Sequence, residues 1–321
     1  MLKLPMAKEQ LYIGIDGGGS TTRAALANVH GDVLGVGFSG AANAHFSGLE
    51  VTTQSIGQAI NEAFQSAGIK QQSVHSAWLG LAGMGRPQDR EQLQRRLHDL
   101  AEQVAISHDM HIALRGGLKH QPGIALIAGT GSACYGINAD GKTWRCGGWG
   151  EPADDIGSAS WFSLRACQIA VRQADGRLSG DEPMQTVFDF LNIDDVLELP
   201  LRIQELSRNT RAGMTPLLTA LYNLHNPHIK AIFTHGVTEL ANLVATTAHQ
   251  LELPNAKVVL LGGLARSGPP FQPLLETQIR QRLPLAQVIE PHYEPMLGAL
   301  MEAYTQCGIP LTADRLARLA K

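Results

Sequence analysis

Two glycine-rich turns, Asp16-Gly17-Gly18-Gly19-Ser20 and Gly129-Thr130-Gly131-Ser132, each follow a short apolar run and each set hydroxyls beside glycine. Glycine has no Cβ, so successive backbone N–H groups can turn toward an anion. Ser20, Thr21, Thr130 and Ser132 add hydroxyls around them. Asp16 ends the first apolar run, where a carboxylate can hold Mg²⁺ directly or through water; that cation keeps several waters and needs few protein oxygens. Two such turns suit the phosphates of one nucleotide, gripped from both sides. The expected nucleotide-binding residues are therefore Gly17, Gly18, Gly19, Ser20 and Thr21, then Gly129, Thr130, Gly131 and Ser132, with ATP and Mg²⁺ as cofactors. Neither turn matches GxxxxGK[ST], and neither opens a helix as a dinucleotide fingerprint must. Each turn alone is equally compatible with a plain hairpin.

A third glycine pair, Gly262-Gly263, follows the apolar run Val258–Leu261. There a flat adenosine could lie against backbone. Asp109 follows Val104-Ala105-Ile106-Ser107, which places a carboxylate at a strand end, where ligands of α/β proteins bind. A hydroxyl acceptor is a poor nucleophile, and a positioned carboxylate that takes its proton is worth roughly 10²–10⁴ in rate. A helix cap is the other role open to Asp109. Asn43 offers a donor and an acceptor to a hydroxyl pair. Asp155 can accept from vicinal hydroxyls or cap the helix after it, and Trp149 can line the face of a sugar ring. His45, His108, His111 and His120 read as surface or packing residues.

These groups need a frame. Leu11–Asp16, Thr21–Val29 and Val33–Phe38 read as strands, with a hairpin turn at His30-Gly31-Asp32. Leu49–Ala67 has helical spacing and Gly68 stops it. Val74–Leu81 is a strand, Gln88–Ala101 a polar helix, and Val104–Ser107 a short strand. The pattern then repeats: Gly123–Ala128 and Ala133–Asn138, a turn at Ala139–Lys142, and Thr143–Cys146. Gly31 and Gly141 stand in the same relation to their glycine turns, the footprint of a duplicated domain. Helices are expected at Ser158–Ala174, Leu217–Leu224 and His228–Leu251, a strand at Lys257–Leu261, and at Met296–Thr305 a small-residue helix able to pass back between lobes. Residues 175–215 give no clear pattern. The expectation is an α/β protein with two lobes, 1–118 and 119–299, with 300–321 packing back onto the first.

At 321 residues the chain has room for two ordinary domains. It is 44% hydrophobic and 17% charged, with formal net charge −3. No long basic run invites nucleic acid or an anionic membrane. Cys134, Cys146, Cys167 and Cys307 show no CxxC pair and no Cys/His zinc spacing. No leader-like apolar run stands in the first ten residues, and no membrane-length stretch lacks polar residues. The expectation is a soluble cytoplasmic protein acting on a small molecule.

The segments Ile13–Thr21, Ala128–Ser132, Gly147-Gly148-Trp149-Gly150 and Gly298-Ala299-Leu300 resemble the N-acetylglucosamine kinase and BadF-type ATPase family, within the actin–hexokinase superfamily. Ser39–Asn43 and Leu81-Ala82-Gly83 are most similar to bacterial glucosamine kinases. The resemblance covers nearly the whole chain. It implies two ribonuclease-H-like lobes with an inter-lobe ATP and sugar cleft, Mg-ATP, transfer to the 6-hydroxyl of glucosamine or N-acetylglucosamine, and a homodimer. It matches Asp109 to the base, Asn43, Thr130 and Asp155 to sugar contacts, and Gly262-Gly263 to the adenosine loop. Two departures stand out. Asp154-Asp155-Ile156-Gly157-Ser158 has Ile where the family has Glu, and Ala133 stands where N-acetylglucosamine kinases can carry Asn. Within the superfamily the alternatives are a kinase for another hexose, or an ATPase activator of a radical dehydratase. The activator would hold an iron–sulfur cluster on paired cysteines of a helical element, and no such pair is evident here. A sugar-responsive repressor would need a DNA-binding domain ahead of Leu11, where only ten residues stand.

Overall fold

A computed structural model of the chain describes Gln10–Ala320, apart from the side chains of His45 and Phe46. Residues 1–9, on which the expectation about a leader rested, and the side chain of His45 lie outside the described set. The chain divides into two compact units. One takes residues up to Gln121 and again from Pro291; the other is Pro122–Glu290.

The first unit contains β1 (Leu11–Gly17), β2 (Thr22–Asn28), β3 (Val33–Ser39), α1 (Ala44–Ser66), β4 (Val74–Leu81), α2 (Pro87–Arg96), β5 (Ala101–His108) and α3 (Asp109–Gly117). Its sheet runs β3-β2-β1-β4-β5, with β1, β4 and β5 parallel. The alternation of a strand sends Leu11, Ile13 and Ile15 to a core shared with Ile56, Ile60 and Phe64 of α1. Tyr12 goes to the other face, where it meets Leu300, Met301 and Tyr304.

The second unit contains β6 (Gly123–Ala128), β7 (Ser132–Ile137), β8 (Thr143–Gly147), α4 (Ala159–Ala174), α5 (Glu182–Leu191), α6 (Leu199–Glu205), α7 (Arg208–Ala212), α8 (Thr215–Asn223), α9 (Pro227–Gln250), β9 (Lys257–Leu261), α10 (Phe271–Arg282) and β10 (Gln287–Ile289). Its sheet order is β10-β9-β6-β7-β8. Read from β8, this is the order of the first sheet, strand for strand, so the duplication expected from the glycine turns is present in the topology. Both hairpin glycines have positive φ, +97° at Gly31 and +79° at Gly141. The core gathers Leu126, Phe162, Phe233, Leu240, Leu260 and Phe271.

The chain then returns to the first unit as α11 (Pro295–Gln306) and α12 (Ala313–Leu319). The expected helix at 296–305 therefore packs on the first sheet. Two glycines make this possible: a Cβ on Gly14 would run into the backbone of α11 at Met296 and Leu300, and one on Gly298 into α3 at Ile112 and Gly116.

Three expectations change. The 88–101 helix ends at Arg96, where the Leu97 N–H closes on Leu93 and Gln94, and Ala101 already begins β5. The helix expected from Leu49 begins at Ala44 and is kinked at Gly48 (φ +77°). The featureless stretch 175–215 folds as α5, α6 and α7. Among the described residues, no helix is long and apolar enough to cross a membrane.

Candidate active site

Register builds the site in the first unit. Gly17 of β1 pairs with Leu81 of β4, and Leu81 with His108 of β5. Gly17, Leu81 and His108 thus form one row across the carboxyl edge of three parallel strands. The next residues, Gly18, Ala82 and Asp109, leave the sheet together. Gly18 N–H donates to Thr21 C=O (2.9 Å) and closes the turn. Ala82 N–H donates to Gly17 C=O (2.8 Å) and Ala42 N–H to Gly18 C=O (3.0 Å), so both neighbouring loops are pinned to the turn. Asn43, the next residue after Ala42, is buried. Gly19, Ser20 and Thr21 are exposed, with backbone and hydroxyls open to a ligand.

Asp109 directly follows the end of β5, as expected, and is at the same time the first residue of α3. His108 caps that helix, accepting from His111 N–H (3.2 Å), while Asp109 Oδ1 accepts from Met110 N–H (3.0 Å). The helix N-terminus favours the ionised carboxylate. Asp16 shares a face with Tyr12 and Gly14 by strand alternation and pairs across the sheet with Arg23. Burial pushes its carboxyl up to about 7; the charge of Asp109 adds to this, Arg23 opposes it, and Glu294 adds again. A buried acid held up by a second carboxylate is short of positive charge, and a hard divalent cation suits it. Among the described residues there is no group of three or more acidic, His or Cys side chains able to hold a metal.

At its other end α3 is tied to α11. Glu302 Oε1 lies 3.1 Å from His111 Nε2, 2.6 Å from Arg115 Nε and 3.1 Å from His120 Nε2. Burial alone would raise the Glu302 pKa. The hydrogen bonds from His111 and His120, with the charges of His111 and Arg115, outweigh it and hold the carboxyl well below the usual range. His111 and His120, read from sequence as surface or packing residues, therefore share a buried carboxylate with Arg115.

The second unit repeats the logic. Ile127 of β6 pairs with Leu261 of β9, so the Gly129–Ser132 turn and Gly262-Gly263 leave the sheet at adjacent levels. A Cβ on Gly129 would lie 3.8 Å from the Gly263 nitrogen. Gly129 C=O accepts from Ala159 N–H (2.8 Å), which docks the turn on the start of α4. Beneath it lies Asp155, 3% exposed and left-handed (φ +66°), a conformation that Asp tolerates better than most side chains. The Arg208 guanidinium bonds Asp155 Oδ2. A Cβ on Gly131 would sit 2.9 Å from that oxygen and 3.1 Å from Arg208 Nη2, so any side chain there would push on the Asp155–Arg208 pair. Thr130 Oγ1 donates to Asn209 Oδ1 (2.8 Å). Thr130, Gly131, Asp155, Gly262 and Gly263, far apart in sequence, are thus brought together within this unit.

Trp149 is 72% exposed and carries Arg145 over its ring at 4.9 Å. The Trp149 backbone N–H donates to Asp154 Oδ2 (3.3 Å). Ile156, the first departure from the family pattern, packs against the core, and Ala133, the second, abuts Gly148. Cys134 and Cys146, which showed no pairing in the sequence, stand opposite one another on β7 and β8. They lie on a sheet and not on a helical element, and burial pushes the Cys134 thiol up to about 12. Sequence reading missed Arg208, Asn209, Arg211 and Glu151; the helix that carries the first three had no readable signal.

Residues 13–303 match the BadF/BadG/BcrA/BcrD ATPase family. The N-acetylmuramic acid/N-acetylglucosamine kinase of Clostridium acetobutylicum is 28% identical over 92% of this chain and 98% of its own length. The glucosamine kinase of Vibrio cholerae is 34% identical over 51% of this chain and 56% of its own. A solved structure from Chromobacterium violaceum, assigned as an N-acetylglucosamine kinase, matches with a TM-score of 0.77 at 26% identity, covering 91% of this chain and 98% of that one. With two five-stranded sheets of like order and a family match that runs from Ile13 to Ala303, the chain belongs to the BadF/BadG/BcrA/BcrD ATPase family.

Proposed function

We propose that this chain is an ATP-dependent sugar kinase that phosphorylates glucosamine, N-acetylglucosamine or both at the 6-hydroxyl, with Asp109 as general base. The row Gly17–Leu81–His108 supports the reading, because Asp109 and the first glycine turn leave the same sheet edge on either side of β4, and the charge of Asp109 reaches Asp16. The kinase relatives support the enzyme class and the amino-sugar acceptor. In this reading the turns at Gly17–Thr21 and Gly129–Ser132 hold the phosphates with backbone N–H groups and the hydroxyls of Ser20, Thr21 and Ser132, and Gly262-Gly263 holds the adenosine. Asn43, Thr130, Trp149 and Asp155 orient the sugar. Asp109 takes the proton of the 6-hydroxyl as its oxygen bonds the γ-phosphorus and the bond to ADP breaks. Asp16 would hold Mg²⁺, which when bound would neutralise phosphate charge. The same reading includes a cytoplasmic homodimer.

The test is ADP release measured across glucosamine, N-acetylglucosamine, N-acetylmuramic acid and glucose, with and without Mg²⁺. Release that depends on an amino sugar and gives a 6-phosphate by NMR is expected. ATP hydrolysis that ignores every sugar would remove the proposal.

A further inference from the structure

We infer that α7 is a positioning element for the acceptor: Arg208 sets the Asp155 side chain and Asn209 sets the Thr130 hydroxyl. The inference rests on the reading above, in which Thr130 and Asp155 touch the sugar. Both of these residues, 25 positions apart, take a side-chain partner from the same short helix. The partners are consecutive. Thr130 Oγ1 donates to Asn209 Oδ1 at 2.8 Å, and Arg208 donates to Asp155 Oδ2.

The helix is itself held in place. Ser207 caps it, accepting from Thr210 N–H at 3.1 Å. Arg211 Nη2 donates to Glu151 Oε2 at 2.7 Å. Ser163 of α4 donates to Arg211 C=O at 2.7 Å, and Met214 beyond the helix is fully buried. Arg208 Nε also lies 3.8 Å from Glu151 Oε2. The result is a chain of opposite charges, Asp155–Arg208–Glu151–Arg211, anchored at the end away from the turn.

Physical chemistry explains why such a tie is needed. A buried carboxylate is costly unless it is paired and hydrogen-bonded. Arg208 meets that need and also commits one oxygen of Asp155, which fixes the plane of the carboxylate. Asn209 Oδ1 can only accept, so the Thr130 proton points at Asn209 and the lone pairs of the hydroxyl point elsewhere. A hydroxyl fixed in this way receives from a ligand hydroxyl in one direction. Orientation of this kind is felt in acceptor affinity, because misplacement by an ångström in a site can cost up to about 10²-fold. Nucleotide contacts on the Gly129–Ser132 backbone do not depend on either side chain.

The test is steady-state kinetics on the full chain, varying N-acetylglucosamine or glucosamine and MgATP separately. Fluorescent-nucleotide binding and melting temperature are measured alongside. N209L and R208M are expected to raise KM for the sugar roughly tenfold or more, with KM for MgATP and nucleotide affinity within about twofold. N209D keeps the accepting oxygen and R208K keeps the charge, so each should recover most of the loss. If R208M fails to fold, the N209L and N209D pair decides alone, since that bond is exposed. Equal changes in both KM values, no change in either, or N209D behaving as N209L overturns the inference while leaving the kinase intact. A wild-type chain that turns over no sugar overturns both.

Discussion

Burial at the end of β1, and then the negative charge of Asp109 at the start of α3, lift the Asp16 carboxyl to about 7. The two acids are parted by more than ninety residues in sequence yet act on one another within one unit. Their division of labour follows from their supports. Asp16 is set in a sheet beside Arg23, whereas Asp109 heads a helix whose N-terminus favours its ionised form.

Asp109→Asn keeps the shape and removes the base. Turnover should fall by at least about a hundredfold while nucleotide still binds. ADP release paired with fluorescent-nucleotide titration measures both. Near-normal turnover would take Asp109 out of its role.

Asn43→Ala should raise KM for the sugar more than KM for MgATP. Its loop is pinned to Gly18 through Ala42, so the turn itself should persist. An equal rise in both constants would mean that the loop, and not the amide, was what mattered.

Glu302→Gln should destabilise the fold by about 3–5 kcal/mol near pH 7, because Arg115 and two histidines lose their common carboxylate. The folded pKa of Glu302 lies below its unfolded value of about 4.3. Its contribution is therefore present above that value and is lost as pH falls toward the folded pKa. Wild type and variant should differ most at neutral pH and converge below about pH 4 in denaturant titrations. A gap that stays constant down to pH 3 would contradict this.

Gly298→Ala should cost about 2 kcal/mol or more, since the added methyl meets the Ile112 and Gly116 backbone and not a flexible side chain. Because α3 carries Asp109, activity should fall along with melting temperature. A fully active, fully stable variant would show that the crossing of α3 and α11 is looser than it is here.

What could be read in the sequence was local. The glycine turns, both hairpins and the strands beside them were legible because each is a contiguous apolar run with its own punctuation. The equivalence of Gly31 and Gly141 was enough to suggest a repeat that the two sheet orders then displayed. The α2 boundary was not legible, because Leu93, Leu97 and Leu100 keep a helical rhythm past the true end at Arg96. The stretch 175–215 failed for a different reason. Its helices are short, and α7 owes its place to Glu151, Asp155 and Thr130, which lie 50 to 80 residues upstream. Likewise His111 and His120 found their partner on α11, close to the other end of the chain.

The return of α11 to the first sheet also sets a timetable for synthesis. Tyr12, Ala25 and Ala27 are covered by Leu300, Met301, Tyr304 and Leu319, so one face of the first sheet waits for the last part of the chain. At about 5–20 residues per second on a ribosome, the whole second unit emerges before that face can close. The second unit is encoded without interruption and can fold as it appears. Of the two sheets, the one made first is thus the last to be finished, and until then one of its faces stays bare.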